Sequence, residues 1–385
     1  MKLIVSPDKK DILVLDATEL FEVAGRHLSA KRYRAALSHY DRLLQHFPKT
    51  RYTSPALYNA GLAHEALLEY KDATSRYGQL MALYPKSRGA VDAGFRLGGC
   101  LGELADWEGS AQLFSKLLAR RDLSAGDRVE AYARKGLALY NNRDLPQAEA
   151  VMAEAIAFAH RVETVERLDN DFFLAMAHYY LGAAPHLRFR LVKVDGSKKM
   201  GKRLDAKAKL LLVSQARYIR TIRVKNPYWA TVAGFQIGSL YKEFYTTLMT
   251  ALPDFKKVAA KNALRAKISP EHAERQLVQV YLEEVHKQVK PLLEKAIRVF
   301  EKTVVMGERV GIRSQWVQKS QRQMSDLKRL IAASPSEAIK LLPKQPTSPE
   351  DQSSPAERSR EQIPGSQPPP PASSQPLELK RSAIM

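Results

Sequence analysis

A small residue recurs in this chain at nearly constant spacing. Ala24, Gly61, Gly98 and Gly136 follow one another at intervals of 37 or 38 residues. Each is followed by a second small residue and, four positions later, by a large side chain: Ala36 and Tyr40, Ala73 and Tyr77, Ser110 and Phe114, Ala148 and Met152. A repeat of this length predicts a stack of similar supersecondary units, none of which can bury its apolar face alone.

The residues within each unit favour two packed helices. The first small residue allows one helix to approach its partner closely, and the second occupies the point where the helices cross. The large side chain fills the gap that remains. Pro48 and Pro85 end the second helices of the first two units, because proline cannot continue the helical hydrogen bonds. Ser54 followed by Pro55 is a typical helix start.

This pattern resembles the tetratricopeptide repeat family, whose units are helical hairpins of about 34 residues. The resemblance implies an all-α solenoid of helical hairpins, with four repeats over residues 17–165 after an N-terminal segment, 1–16. The chain departs from the family in its slightly longer units and in Ser110, where alanine is usual.

The pattern decays over residues 166–334 but stays helical, which predicts a degenerate, basic, repeat-like region. Helices are expected over 172–182 and 206–224, joined by a basic loop of about twenty residues, and another begins at Pro270. The stretch NPYWATVAGFQIGSLYKEFY also resembles long tetratricopeptide proteins of the myxobacterial gliding-motility type.

The composition changes again at residue 335. Residues 335–385 contain 11 of the 21 prolines, with serine, glutamine and glutamate between them. Such a segment cannot bury enough apolar surface to offset the entropy of ordering, so we expect a disordered tail.

Positive charge is concentrated in the middle of the chain. The formal net charge is +20, of which residues 166–334 supply +17. The density is highest over residues 188–225, which predicts attraction to an acidic protein, a nucleic acid or an anionic lipid surface. The candidate polyanion-binding residues are Arg188, Arg190, Lys198, Lys199, Lys202 and Arg203.

Part of this basic segment nearly matches a phosphate-binding loop. Gly196, Gly201 and Lys202 stand at the required positions, but Arg203 replaces the hydroxyl residue that would hold Mg²⁺. No alternating pattern of strands and helices surrounds it. We therefore interpret it as a solvated basic loop that attracts anions without hydrolysing nucleotides.

The resemblance also implies a partner-binding groove on the first helices of the repeats. Its candidate residues are Phe21, Tyr58, Leu62, Phe95, Leu137 and Tyr140. Phe21, Tyr58 and Phe95 occupy the same position in successive repeats. They therefore form either a ladder of aromatic rings that binds a partner's peptide or a buried face covered by the chain's own second half.

Several classes of function are excluded by what the sequence lacks. Cys100 is the single cysteine, so neither an intrachain disulfide nor a cysteine-based metal site can form. No set of histidine, cysteine, serine or acidic residues has a recognisable catalytic spacing. We expect no enzyme activity, cofactor, metal or small-molecule substrate.

No apolar run approaches the length of a membrane helix or a signal peptide. As written the chain is expected in the cytoplasm; a start codon further upstream with a signal sequence would instead place it in the periplasm or envelope.

The prediction for function is a non-catalytic adaptor. Its groove binds a peptide segment of a partner protein, and its basic half steers it towards acidic partners. The alternative is nucleic-acid or anionic-membrane binding through residues 188–225.

Overall fold

The computed structural model describes residues 2–5, 12–163, 171–312 and 314–342, and the statements of structure below refer to these residues. The chain divides into two compact units. Of the described residues, those up to Asp144 belong to unit 1 and those from Leu145 onwards belong to unit 2. The boundary lies about twenty residues before the one at 165 that the repeat pattern suggests.

Unit 1 is built from helical hairpins, as the repeats predict. Its helices are α1 (Ala17–Ser29), α2 (Tyr33–His46), α3 (Thr53–Ala66), α4 (Tyr70–Leu83), α5 (Arg88–Glu103), α6 (Trp107–Leu118) and α7 (Ala125–Asn141). The first helices α1, α3, α5 and α7 contact one another in sequence, and α2, α4 and α6 pack against α1, α3 and α5. We call the row of first helices the first-helix layer.

A short antiparallel hairpin precedes α1, which the sequence analysis did not predict. Strand β1 (Lys2–Val5) pairs with β2 (Ile12–Leu15), with Lys2 opposite Leu15 and Val5 opposite Ile12. Both strands are short runs rich in branched apolar residues, which favour extended backbone. The all-α prediction is therefore confirmed for the repeats, and the hairpin is an addition to it.

Unit 2 continues the helical architecture. Its helices are α8 (Leu145–Glu163), α9 (Phe172–Leu191), α10 (Met200–Arg223), α11 (Pro227–Thr250), α12 (Lys256–Ala266), α13 (Pro270–Arg309), α14 (Gln315–Ala332) and α15 (Pro335–Leu341). The helix α9 packs against α8 and α10, and α11 packs against α10 and α13. Within the described ranges, no helix has both the length and the apolar character that a bilayer-crossing segment needs.

Two boundaries in unit 2 differ from those expected. The loop between α9 and α10 spans only 192–199, because α9 continues through Pro185 and α10 begins earlier than predicted. The expected disorder from residue 335 is wrong for its first seven residues, which form α15 with a capping box between Ser334 and Glu337. The rest of the predicted tail, 343–385, lies outside the described residues.

The small residues of the first helices hold the hairpins together. A Cβ atom added at Gly61 would lie 2.6 Å from Cζ of Tyr77, and one added at Gly98 would lie 2.7 Å from Cε2 of Phe114. These distances are too short for two carbon atoms. Each aromatic ring of the second helix therefore lies directly on the backbone of the first helix, as the repeat pattern predicts.

Ser110 fits where the family usually has alanine. It is 3% exposed, and its hydroxyl donates a hydrogen bond of 3.0 Å to the backbone carbonyl of Gly98. The buried hydroxyl thus has a partner on the neighbouring helix, so the substitution leaves no polar group unsatisfied.

The turns that follow the four first helices of unit 1 share one backbone conformation. A residue in the left-handed region ends each helix, and none of the four is glycine: Lys31, Leu68, Ala105 and Arg143, with φ between 57° and 67°. The next residue donates its N–H to a carbonyl five positions earlier, as Glu69 does to His64 at 2.9 Å. This is the hydrogen bond of a Schellman motif, so the hairpins share one turn geometry.

We predict that two Gly→Ala substitutions in the second hairpin have opposite effects. Gly61→Ala places a methyl group against Tyr77 and should lower the free energy of unfolding by about 1–3 kcal/mol. Gly78→Ala lies in α4 with no atom within 4 Å of the new methyl group, and should raise it by about 0.5–1 kcal/mol.

Urea unfolding followed by circular dichroism measures both effects. Gly78→Ala is the matched control, since the chemical change is identical and lies in the same hairpin. Equal effects of the two substitutions would contradict the packing of Tyr77 on α3.

Candidate partner-binding site

The predicted aromatic ladder does not form, because two of its three rings are part of the core. Phe21 is 9% exposed and its ring centroid lies 5.2 Å from that of Tyr52. Tyr58 is 1% exposed and packs 5.8 Å from Tyr77. Both rings are covered by neighbours within unit 1, so the structure favours the buried face over the partner ladder at these two positions.

The other four predicted groove residues keep part of their surface exposed. Phe95 is half-buried, with its ring 6.0 Å from that of Phe114. Leu62, Leu137 and Tyr140 are also half-buried on first helices. Leu62 and Leu137 are separated by two repeat intervals, so they occupy equivalent positions on α3 and α7. These four side chains give the first-helix layer an interrupted apolar surface.

Ion pairs link neighbouring first helices beside this apolar surface. Arg96 on α5 lies 3.2 Å from Glu65 on α3, and Arg88 on α5 lies 2.5 Å from Asp127 on α7. Glu65 also accepts a 2.5 Å hydrogen bond from the hydroxyl of Tyr77 in the core. The pairs therefore connect the exposed face of the layer to the hairpin packing behind it.

Burial shifts the pKa of two carboxyl groups in this layer. Burial raises the pKa of Asp92, although the charge of Arg88 opposes the shift. It also raises the pKa of Glu130, whose partner Arg134 lies 2.6 Å away one helical turn later. Each carboxylate stands beside an arginine, so the layer carries little uncompensated charge.

One cluster in unit 1 has donor atoms that could surround a metal ion. His64, Glu69 and Asp72 place their ligand atoms within 4.8 Å of one another at the turn between α3 and α4. The hydrogen bond between His64 and Glu69 is 2.8 Å long and lowers the pKa of Glu69, and Arg34 pairs with the same carboxylate. A cation would have to displace Arg34, so ion pairing accounts for the arrangement.

Three of the six predicted polyanion-binding residues are engaged in ion pairs within unit 2. Arg188 pairs with Glu149 of α8, and Arg190 holds Glu243 of α11 through two hydrogen bonds of 2.6 and 2.9 Å. Arg203 lies 2.5 Å from Asp195. Each of these three candidate polyanion-binding arginines therefore faces a carboxylate of the protein itself.

The other three, Lys198, Lys199 and Lys202, are exposed where the basic loop enters α10. Residues 192–195, which precede Gly196 in this loop, do not form a strand. A Cβ at Gly196 would collide with the carbonyl oxygen of Leu252, so this glycine is needed for packing. The loop therefore lacks the strand–loop–helix arrangement of a phosphate-binding loop.

Sequence reasoning missed a buried polar network in unit 2. His186 is 2% exposed; its Nδ1 lies 3.1 Å from the hydroxyl of Tyr218 and its Nε2 lies 3.3 Å from Glu243. Nearby, the ammonium group of Lys207 donates to the carbonyls of Phe189 and Val192 at the end of α9. Tyr218 and Glu243 are 32 and 57 positions from His186 in the sequence, so no local sequence motif predicts the network.

The network shifts the pKa values of His186 and Glu243. Burial lowers the pKa of His186, although the charge of Glu243 opposes the shift. Burial alone would raise the pKa of Glu243, but the charges and hydrogen bonds of His186 and Arg190 lower it far below its ordinary value of 4.5. Arg190 supplies the permanent countercharge. The network holds α9 and α11 together.

Comparison with known proteins identifies one repeat directly. Residues 55–87, which contain α3 and α4, match the tetratricopeptide repeat family. A search of curated proteins gave no match.

Solved structures of repeat proteins are similar at low identity. MamA (residues 41 to the end) from Desulfovibrio magneticus RS-1 is 17% identical, covers 53% of this chain and 98% of its own, and has a TM-score of 0.35. A tetratricopeptide repeat protein from Parabacteroides merdae is 12% identical, covers 80% and 98%, and has a TM-score of 0.38.

We predict that Glu243→Gln destabilises the protein and flattens its acid sensitivity. The folded pKa of Glu243 lies below the unfolded value, so its stabilisation is present above about pH 4.5 and is lost as the pH falls below it. The variant should be less stable at pH 7 by about 2 kcal/mol, a reduced value because the site is partly exposed. Its stability should change less than that of the parent between pH 5 and pH 3.

Urea titrations at a series of pH values measure this difference. Glu301→Gln, at an exposed position of α13, is the control and should follow the parent curve. Parallel curves for Glu243→Gln and the parent would show that the carboxylate does not couple to folding.

Proposed function

We propose that the chain is a non-catalytic scaffold of the tetratricopeptide repeat type that binds a peptide segment of a partner protein across the first-helix layer of unit 1. The match of residues 55–87 to that family supports the proposal. The observation that carries the proposal is the pair of half-buried leucines, Leu62 and Leu137, at equivalent positions two repeats apart. Side chains at such positions can anchor a partner and still belong to the folded layer.

The surroundings of these leucines favour a partner segment of mixed character. Phe95 and Tyr140 add partly exposed aromatic surface. The pair of Arg96 with Glu65 offers charged hydrogen-bonding groups beside it, with side chains that are 15% and 21% exposed. A segment with a few apolar anchors separated by polar residues would match this surface.

The basic residues of unit 2 serve the same function through longer-range attraction. Residues 166–334 carry a net charge of +17. Such a field raises the rate at which an acidic partner arrives more than it strengthens the final complex. The partners of the scaffold are therefore acidic proteins that present an exposed segment.

We predict that Leu62→Ser with Leu137→Ser weakens peptide binding at least about tenfold, because two apolar anchors are lost. The probe is a peptide selected from a displayed library by the full-length protein, with binding measured by fluorescence anisotropy. Leu83→Ser, at a 61% exposed leucine of α4, is the matched control and should leave the affinity unchanged.

The double variant must also keep the thermal stability of the parent. We expect it to do so, because Leu62 and Leu137 are only half-buried. Phe21 and Tyr58 are unsuitable targets, since truncating either would open the core. If no peptide is enriched, or if the double variant binds as tightly as the parent, the proposed surface is wrong.

A second candidate function is binding of a polyanion at the start of α10. It is supported by the exposure of Lys198, Lys199 and Lys202, none of which forms an ion pair with another described residue. The surface is smaller than the sequence suggested, because the three arginines are paired.

We predict that changing these three lysines to glutamate abolishes binding of a DNA duplex if this second function is correct. Affinity of the parent should then fall steeply as salt increases, because bound phosphates release counterions. Peptide binding to unit 1 should barely respond to either change. Measuring both ligands over the same salt series separates the two functions.

A further inference from the structure

A run of positive charge without acidic partners lies on helix α12, outside the segment 188–225. Residues 255–270 contain five cations and no acidic residue; the flanking acids are Asp254 and Glu271. None of the five, Lys256, Lys257, Lys261, Arg265 and Lys267, pairs with a carboxylate among the residues that the structure describes. Arg188, Arg190 and Arg203 of the basic segment, in contrast, face Glu149, Glu243 and Asp195.

One side of α12 is fixed against α13. Ala259 and Ala263 are 1% and 3% exposed and form a small cluster with Ala273, together with the partly buried Ile268 and Leu277. The chain reverses between the two helices at Lys267, which has a φ of 54°. This packing determines which side of α12 faces solvent.

The opposite side carries the cations in a line. Lys257, Lys261 and Arg265 are spaced four residues apart, so they follow one another along the same face at intervals of about 6 Å. All three are exposed. A line of cations at this spacing can contact several anionic groups at once.

Two large apolar side chains border this line. Leu264 is 84% exposed and Val258 is 50% exposed. At 100° per residue, Leu264 lies on one side of the line and Val258 on the other. Solubility would favour polar residues here, and α13 already covers the buried side, so the apolar pair has no partner within the described hairpin.

We propose that the solvent face of α12 binds the surface of a lipid bilayer that contains anionic headgroups. The cations contact headgroup phosphates and carboxylates, and Leu264 and Val258 enter the boundary between headgroups and acyl chains. A nucleic acid would use the cations but would leave both apolar side chains in water, so the combination favours lipid. This surface is separate from the peptide-binding face of unit 1 and does not depend on it.

The test is co-sedimentation of the full-length protein with vesicles of phosphatidylcholine alone or with phosphatidylserine added. We expect binding only when phosphatidylserine is present, and weaker binding at higher salt. Lys257→Glu with Lys261→Glu and Arg265→Glu should lower the partition coefficient at least about tenfold. Leu264→Ser alone should lower it by a factor of about three or more, which a purely electrostatic contact would not do.

The matched control changes Arg322, Lys328 and Arg329 of α14 to glutamate. This variant has the same net charge as the α12 variant, and the changed residues are also exposed. It should bind vesicles as the parent does. If it loses binding equally, general basicity is responsible and the proposal is wrong.

A fluorescent reporter tests whether the helix enters the interface. Leu264→Cys can be labelled with an environment-sensitive dye, because the native Cys100 is 2% exposed and burial raises the pKa of its thiol. A blue shift with phosphatidylserine vesicles and none with a DNA duplex is the expected result. No shift with vesicles, or tighter binding of the duplex that the α12 variant abolishes, would overturn the proposal in favour of a nucleic-acid surface.

Discussion

The fold depends on the contact between a small residue of one helix and an aromatic ring of its partner. Gly61 and Gly98 make this contact with rings sixteen residues later, and unit 2 repeats it between Gly182 and Tyr218 and between Gly238 and Phe300. The glycine and the ring are further apart in the sequence of unit 2, because its helices are longer and α12 is inserted between α11 and α13. The contact itself is kept, which explains how helical-hairpin packing continues where the sequence period is lost.

This contact also explains what could be predicted from sequence. The small and large residues that form it are the repeat pattern, so the helices and their pairing in unit 1 follow directly. The repeat pattern does not predict which of these side chains are exposed. Phe21 and Phe95 share a repeat position, but Tyr52 lies against Phe21 and closes over it, whereas Phe95 stays partly exposed. The sequence does not predict the left-handed turns either, since Leu68 and its equivalents are not glycine.

Charge is the property that the sequence describes least well. The density of basic residues over 188–225 predicts a charged surface, but Arg188 and Arg190 meet carboxylates 39 and 53 positions away. Such partners are visible only after folding. Helix α12 has fewer cations, yet none of them forms an ion pair with a carboxylate in the part of the chain that the structure describes. Uncompensated charge, rather than density along the chain, is therefore the better guide to a binding surface.

The two units consequently differ in how they can recognise other molecules. Arginine and carboxylate alternate in the first-helix layer of unit 1, so its field largely cancels and selectivity there has to come from short-range apolar contacts. The exposed lysines of unit 2 act over about a Debye length and attract anions of many kinds. Selectivity on α12 then depends on Leu264, because an exposed leucine gains free energy only where its surroundings exclude water. The lysines can thus attract any anionic surface, whereas Leu264 determines which of these surfaces the protein stays bound to.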